Sequence, residues 1–294
     1  MKTETALALT KPETALRPLG AGILAYLDSD RRARRQLLRD SRKVMKAHRN
    51  ANGYAETRSM LTAPESQTKL GKSVTPTYGL TLSPVDSAGV GNLCPWATAC
   101  AKVCLMYTGH GQFTQTQTAR IVHTKFLFAH PFESGILLAH EIMQAIKRHD
   151  GRVLIRLNVV SDLRWELIMP LAIERLSSLG AGFYDYSKAP TRLRNTDAYK
   201  ITFSAHEKMT DAAIRKLTDN QFNVAVVTRA SKETVKAYVE AGGRWNGIAT
   251  ADGVSSDDRT LDAPGRVVLL AALGGAKNDQ SGFVRPLFTP SLIS

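Results

Sequence analysis

The sequence predicts an α/β fold of parallel βα repeats that form a partial or complete (βα) barrel, of TIM-barrel type if it closes, after a basic helical N-terminal segment. Short β-rich runs alternate with segments of helical apolar spacing over residues 132–272, which is typical of parallel βα units. No Gly-x-Gly-x-x-Gly turn opens a helix, which disfavours a dinucleotide-binding fold. With 294 residues and 43% hydrophobic content, the chain can bury a full core.

The chain divides into two predicted units. Residues 1–68 are predicted as a basic helical segment and linker, and residues 69–294 as a metal-binding α/β domain. Between Arg31 and Arg49, nine basic residues accompany one acidic residue along a narrow apolar seam. This pattern predicts a basic helix, whose start Asp28 or Asp30 would cap.

The charge balance predicts a nucleic-acid partner. The net charge is +13, and residues 1–72 hold 15 basic and 7 acidic residues. Such an excess attracts polyanions, and arginines along one helix can neutralise several phosphates at once. The alternative is a solvated helix that packs through its apolar seam. The predicted nucleic-acid contacts are Arg31, Arg32, Arg34, Arg35, Arg39, Arg42, Lys43, Lys46 and Arg49.

The remaining elements follow in order from a short strand at Thr77–Leu82. A turn-rich stretch then leads to the cysteines, and the Thr- and Gln-rich stretch that ends at Thr118 is predicted as an exposed loop. The elements predicted after it are helix Ala119–Ala129, helix Phe132–His149, strand Arg152–Val160, helix Trp165–Leu179, strand Gly182–Tyr186, strand Tyr199–Ser204, helix Asp211–Asp219, strand Asn223–Thr228, helix Lys232–Ala241, strand Trp245–Ala249 and strand Arg266–Ala272.

The three cysteines of the chain, Cys94, Cys100 and Cys104, lie within eleven residues. The sequence shows neither a long apolar run nor a secretory signal, so we expect a cytoplasmic protein without a membrane span. A reducing compartment keeps thiols available as metal ligands. Three thiolates in a C-x5-C-x3-C loop leave one metal position open, which favours an iron–sulfur cluster.

Two other interpretations of the cysteines stay open. Zinc accepts a Cys₃His ligand set, for which His110 or His123 is the candidate fourth ligand. The cysteines could also be three buried structural thiols, since their spacing is not that of a standard zinc finger or ribbon.

Polar residues follow almost every predicted strand. In parallel α/β folds ligands bind where the strands end, so these side chains are expected to converge on one mouth. Each also has an ordinary structural interpretation, such as a helix cap at Asp162 or a turn at Asp252. The predicted catalytic residues are Asp162, Asp185, Lys188 and His206, and the predicted cofactor-binding residues are Asn158, Ser161, Ser204, Arg229, Asp252 and Lys277.

Several of these motifs resemble the bacteriophage gene product 88 family. The resemblance rests on the cysteine loop and on four short motifs, and it would cover about residues 69 to 285. It implies a phage-encoded protein with a cysteine cluster, in the host cytoplasm, and no settled reaction. The four motifs are Lys69–Lys72, Arg156–Asn158 with Ser161–Asp162, Tyr184–Lys188 and Asp252–Arg259.

A cysteine triad after the first strand of a partial α/β barrel is also similar to the radical S-adenosylmethionine superfamily. That resemblance implies a [4Fe–4S] cluster whose fourth iron binds S-adenosylmethionine, although the family spacing is C-x3-C-x2-C and a Gly-Gly-Glu motif is missing here. The first hypothesis is therefore an iron–sulfur enzyme that acts on nucleic acid or a nucleotide-derived substrate. The others are a non-catalytic cluster- or zinc-stabilised nucleic-acid-binding protein, and an inhibitor of a host nucleic-acid enzyme.

Overall fold

A computed structural model describes residues 9–54, 59–66, 70–107, 109–189 and 196–287, apart from the side chains of Lys72, Leu105 and His110. The described residues begin with three helices, α1 (Lys11–Ala15), α2 (Arg17–Asp28) and α3 (Arg31–Ala51). A capping box at Thr10 starts α1. Asp30 caps α3, because its carboxylate accepts a hydrogen bond from the Ala33 N–H at 2.8 Å.

Helices and strands then alternate. The helices are α4 (Thr114–Ala129), α5 (Pro131–Arg148), α6 (Trp165–Ile168), α7 (Pro170–Ser178), α8 (Asp211–Asp219) and α9 (Lys232–Glu240). The strands are β1 (Leu61–Thr62), β2 (Thr77–Leu80), β3 (Val153–Arg156), β4 (Ala181–Ser187), β5 (Tyr199–Ser204), β6 (Val224–Thr228), β7 (Arg244–Trp245), β8 (Ile248–Asp252), β9 (Val267–Ala271) and β10 (Val284–Arg285).

The strands form one mostly parallel sheet in the order β1-β2-β3-β4-β5-β6-β9-β8-β7. β2 to β6 are parallel neighbours in chain order, and β10 pairs with the end of β6. The predicted α/β class and its parallel sheet are confirmed. Because neighbouring strands are parallel, their carboxyl ends share one edge, called here the carboxyl edge.

The prediction of a barrel is wrong where it implies closure. Within the described residues the strand order ends at β1 and β7, two-residue strands that pair antiparallel with their neighbours. β9 also inserts between β6 and β8, which reverses the strand order. The sheet is therefore open. Such short edge strands limit pairing with further chains.

One face of the sheet packs against helices. Ile155 and Phe183 belong to a buried cluster with Leu19 and Ile23 of α2 and Leu138 of α5. The N-terminal helices therefore share a hydrophobic core with the sheet, and the predicted division at residue 69 does not separate two cores. Among the described residues, no helix has the length and apolar content needed to cross a membrane.

Three predicted elements differ from the structure. The single helix predicted at Trp165–Leu179 is two helices, α6 and α7, which are separated at Met169 before Pro170. The Thr- and Gln-rich stretch from Thr114 is the first turn of α4 and not a loop. The single strand predicted at Trp245–Ala249 is a hairpin, in which β7 and β8 pair antiparallel across Asn246-Gly247. Both turn residues have positive φ, at 48° and 77°, as a type I′ turn requires.

Candidate metal centre at the carboxyl edge

The cysteine loop is held against the ends of β3 and β5. The Asp162 N–H donates to the Leu93 carbonyl at 2.9 Å. The Cys94 thiol lies 3.6 Å from the Val160 carbonyl, to which it can donate. Farther along the loop, the Thr98 hydroxyl donates to the Glu207 carboxylate at 2.8 Å. These contacts place the loop at the carboxyl edge of the sheet.

Burial disfavours ionisation of two of the thiols, Cys94 and Cys104. Burial raises the pKa of Cys94 to about 12, and the charges of Asp162, Cys104 and Cys100 act in the same direction. Burial also raises the pKa of Cys104, although the charges of Arg120 and Lys188 oppose it. The three thiols are therefore close enough to influence one another. They are free cysteines, of which Cys94 is buried and the other two are half-buried.

A half-buried arginine of α4 lies beside the cysteines. Burial lowers the pKa of Arg120, and the charge of Cys104 opposes this effect. Its Nη1 atom is buried and has no hydrogen-bond partner in the described part of the chain. A guanidinium taken out of water normally requires an anion or several acceptors. Arg120 therefore supplies positive charge that neutral thiols do not balance.

Asp162 and Lys188 connect three strand ends. The Asp162 carboxylate accepts hydrogen bonds from the Ser187 hydroxyl at 2.6 Å and from the Lys188 N–H at 2.9 Å. The Lys188 ammonium donates to the Ser204 hydroxyl at 2.9 Å and lies 5.3 Å from the centre of the Phe283 ring. Asp162 thus joins the ends of β3 and β4, and its side chain is not the predicted cap of the Trp165 helix.

Asp185 and Asn158 are buried and hydrogen-bonded to each other. Asp185 has 0% exposure and accepts hydrogen bonds from both nitrogens of Asn158, at 2.9 Å each, and from the Tyr199 hydroxyl at 2.5 Å. The Asn158 side-chain oxygen in turn accepts the Ser161 hydroxyl at 2.9 Å and the Trp165 indole N–H at 3.1 Å. These groups fix the end of β3 and do not line an open mouth.

The other predicted strand-end residues do not converge on one point. Asp252 accepts the N–H groups of Val254 and Ser255 in a local turn, and exposed Arg229 donates to the Asp279 carbonyl at 2.8 Å. His206 is half-buried near Lys188, and burial lowers its pKa. Lys277 is exposed. The side chains that meet the cysteines are therefore those near β3, β4 and β5.

The described side chains do not form a finished metal site. No three His, Cys, Asp or Glu side chains in the described residues are already arranged to hold a metal ion. His123, a predicted zinc ligand, contacts the Met60 sulfur at 3.0 Å through Nε2. The side chain of His110, the other candidate, lies outside the described residues. Thiolate donors suit soft metals and iron–sulfur clusters. The three cysteines therefore fit a metal centre whose ligands come together when the metal binds.

The family model described as gene product 88 matches residues 37–286. The chain belongs to the gene product 88 family. No curated protein and no solved structure matches the chain. The family match begins at Leu37, inside α3, and not near residue 69 as the motifs predict. Most of α3, from Leu37 onward, is thus part of the family domain.

In this family member, α3 packs through its apolar side. Met45 is buried, and Leu37, Leu38 and Val44 contact the core. At 100° per residue, the exposed basic side chains of α3 occupy an arc of about 120°. This surface, called here the basic face, consists of Arg31, Arg32, Arg35, Arg39, Arg42, Lys43 and Lys46.

Two of the predicted phosphate contacts do not belong to the basic face. Arg34 donates to the carbonyls of Tyr26 and Leu27, at 2.9 and 2.5 Å. Arg49 is buried, and its charge acts on Glu141. Both arginines therefore serve packing between helices.

The sequence analysis missed a buried ion pair beside the cysteine loop. Arg164 is 1% exposed and donates to the Glu13 carboxylate from Nη2 at 2.6 Å and from Nε at 2.9 Å. Burial opposes ionisation of Glu13, but hydrogen bonds from Arg164 and Thr10 lower its pKa. The guanidinium also lies 5.0 Å from the centre of the Trp96 ring. The pair thereby links α1 to the loop, and 151 residues of chain separate its members, so no local pattern signals it.

A second missed network lies on the face of the sheet away from the core helices. Arg156 donates to the Asp257 carboxylate at 2.7 Å, and the Tyr184 hydroxyl donates to the same oxygen at 2.9 Å. The 3-10 helix Arg259–Leu261 packs on β4 and β5. Residues 253–262 thus cover the face that would line the interior of a closed barrel. The clustered aspartates and arginines of this stretch were the available signal.

Proposed function

We propose that Cys94, Cys100 and Cys104 ligate one iron–sulfur cluster at the carboxyl edge, and that the protein is an enzyme acting on nucleic acid or a nucleotide-derived substrate. The observation that carries this proposal is the position of three thiols beside the half-buried Arg120, whose Nη1 atom has no hydrogen-bond partner among the described residues. Arg120 and Lys188 both act on Cys104. Charged sulfur at this position would balance them.

With its pKa raised to about 12, the Cys94 thiol is neutral near pH 7. Arg120 then lies half-buried beside neutral sulfur, with its Nη1 atom unpaired in the described part of the chain. Metal binding displaces the thiol protons and leaves a thiolate-ligated centre. That centre supplies the negative charge that the guanidinium needs.

An iron–sulfur cluster is proposed in place of zinc because of the number of cysteine ligands. Zinc in structural sites takes four protein ligands, whereas the loop supplies three cysteines. A [4Fe–4S] cluster held by three cysteines keeps one iron open for a substrate or cofactor. The open position would face the ends of β3, β4 and β5, where Lys188 can hold an anionic group.

S-adenosylmethionine is the proposed cofactor of such a cluster. Its support is the strand order: the cysteines follow β2, the first of five parallel neighbours in chain order. When bound, the cluster supplies an electron to the cofactor. The residues of this chain would bind and orient the cofactor. Lys188 would hold the carboxylate of the cofactor, and the hydrogen bond from the Lys188 N–H to Asp162 fixes the lysine backbone.

The basic face of α3 supports nucleic acid as the substrate. Its exposed cations extend over about 22 Å of helix from Arg31 to Lys46, at 1.5 Å per residue. Near its end, α3 lies against α4, where Tyr54 packs on Ala119 and Val122. Arg120, which follows Ala119 in α4, lies beside the cysteines. The helix α4 thus contacts the helix that carries the basic face and also reaches the candidate metal centre.

Anaerobic purification followed by an absorbance spectrum tests the proposal. We expect a broad band near about 400 nm that chelation and oxidation remove, as in [4Fe–4S] proteins. Arg120→Met, which removes the cation, is expected to make the cluster more labile to oxidation, with Lys125→Met as the matched control on α4. A parent protein that holds zinc and no iron would refute the cluster. Equal lability in both variants would refute the role of Arg120.

A further inference from the structure

Two large aromatic side chains next to the cysteine loop are exposed. Tyr107 is 52% exposed and Phe113 is 54% exposed. The Tyr107 N–H donates to the Cys104 carbonyl at 3.0 Å, so the tyrosine lies one turn after the third cysteine. Single exposed rings are common on protein surfaces. A pair of them beside a candidate centre calls for a more specific explanation.

The position of Phe113 is set by α4. It is the N-cap residue of the helix, and Gln117 and Arg120 follow it at the i+4 and i+7 positions. Phe113 itself has an extended backbone, with ψ at 134°. The 3-10 turn Gly109–Gln112 lies between the two aromatic residues in the chain and packs against both α4 and the turn that holds Tyr107. The two rings therefore lie at the two ends of one short segment that follows Cys104.

The stretch of sequence that carries the rings is basic. The sequence contains no acidic residue between Asp86 and Glu133, whereas Lys102, Arg120 and Lys125 lie in that stretch. Lys102 and Lys125 are exposed. An anionic ligand is attracted to such a surface. Exposed aromatic rings within a positive surface are the arrangement by which proteins bind single-stranded nucleic acid.

We propose that Tyr107 and Phe113 stack on unpaired bases of a single-stranded nucleic acid. The inference rests on the proposed function, because both take nucleic acid as the substrate. The inference adds that the bound form is single-stranded. Bases in a duplex are already stacked on their neighbours, whereas unpaired bases expose their faces to protein rings. The rings would hold a base beside Cys104 while the basic face binds phosphates.

The test compares binding of a labelled single strand and of a duplex with the same sequence to the anaerobically purified full chain. The double variant Tyr107→Ala, Phe113→Ala is expected to bind the single strand at least about 25-fold more weakly, since one lost stack costs about fivefold or more. Duplex affinity and the salt dependence should not change. Tyr107→Phe should retain binding, and Phe132→Ala, an exposed ring on α5, is the matched control.

A second measurement does not depend on the variants. A single strand that carries 2-aminopurine should lose fluorescence on binding to the parent, because stacking on a ring quenches it. Unchanged fluorescence, or a double variant that binds the single strand like the parent, would overturn the inference. If the parent still binds nucleic acid in either case, the proposed substrate stands and only the stacking fails. If the parent binds neither form, both proposals fail.

Discussion

Replacing Arg35, Arg39, Arg42 and Lys46 by glutamine removes four cations from the basic face and leaves the apolar seam of α3 intact. All four are exposed, and helical spacing places them within an arc of about 60°. We expect this variant to fold like the parent and to bind nucleic acid more weakly. The reason is that each phosphate contact releases counterions when it forms.

The size of the effect follows from the number of contacts. For a single strand, the log of the binding constant falls against the log of the salt concentration with a slope of about −0.7 per contact. Losing four contacts reduces the slope by about 2.8. A fourfold rise in salt should then cost the parent about 50-fold more affinity than it costs the variant.

The assay is fluorescence anisotropy of a labelled oligonucleotide over a series of salt concentrations. The control replaces Lys208, Lys216, Lys232 and Lys236, which are exposed residues in or near α8 and α9. Both variants lower the net charge of +13 by four. They therefore differ only in where the charges are lost.

The expected result is a reduced slope for the α3 variant and a slope near that of the parent for the control. Equal slopes in all three proteins would show that the basic face is only a solvated surface. Equal reductions in both variants would show that the protein attracts nucleic acid through its net charge and not through α3.

Three further predictions concern the buried groups. Glu13→Gln removes the carboxylate that binds the buried Arg164 guanidinium, so urea denaturation should show a loss of about 3–5 kcal/mol, whereas Asp28→Asn, which removes an exposed pair, should cost less than about 1 kcal/mol. Burial raises the pKa of Glu141 from 4.5 to about 7, so this carboxyl ionises at a lower pH in the unfolded chain than in the folded protein. The parent should therefore lose at most about 3 kcal/mol of stability as the pH rises from 4.5 to 7. Glu141→Gln should remove that loss, and a parent stability that does not change over this pH range would contradict the assignment. Lys188→Met should melt and hold metal like the parent but bind S-adenosylmethionine more weakly in calorimetry, and unchanged binding would remove Lys188 from the site.

The elements of the α/β domain could largely be predicted from local patterns. β5 and α8 lie at the predicted residues, and most others differ by a few residues at their ends. The hairpin of β7 and β8 had an available signal in Asn246-Gly247, a preferred type I′ turn. The helical start of α4 had none, because Thr and Gln are weak signals and packing against the 3-10 turns decides the outcome.

The open sheet could not be predicted in the same way. Strand order depends on which strands pair, and the insertion of β9 between β6 and β8 leaves no mark in the local sequence. The covering stretch of residues 253–262 depends on Arg156 and Asp257, which are 101 residues apart. Long-range pairs of this kind determine whether a sheet can close.

The candidate site could also be predicted only in part from local sequence. Clustering in the sequence was sufficient to single out the cysteines. Asp185 follows a strand-like pattern equally well, yet the structure buries it against Asn158 and Tyr199. The importance of Arg120 depends on its burial beside Cys104, which the sequence does not show.

The most direct test of a cluster held by three cysteines is a count of iron, acid-labile sulfide and zinc per chain, in the anaerobically purified parent and in Cys94→Ala, Cys100→Ala and Cys104→Ala. We expect about four iron and four sulfide per chain in the parent, as for a [4Fe–4S] cluster. Each variant should lose both, because the site cannot close without any one thiolate. A parent without iron and sulfide, or one variant that retains them in full, would contradict this expectation.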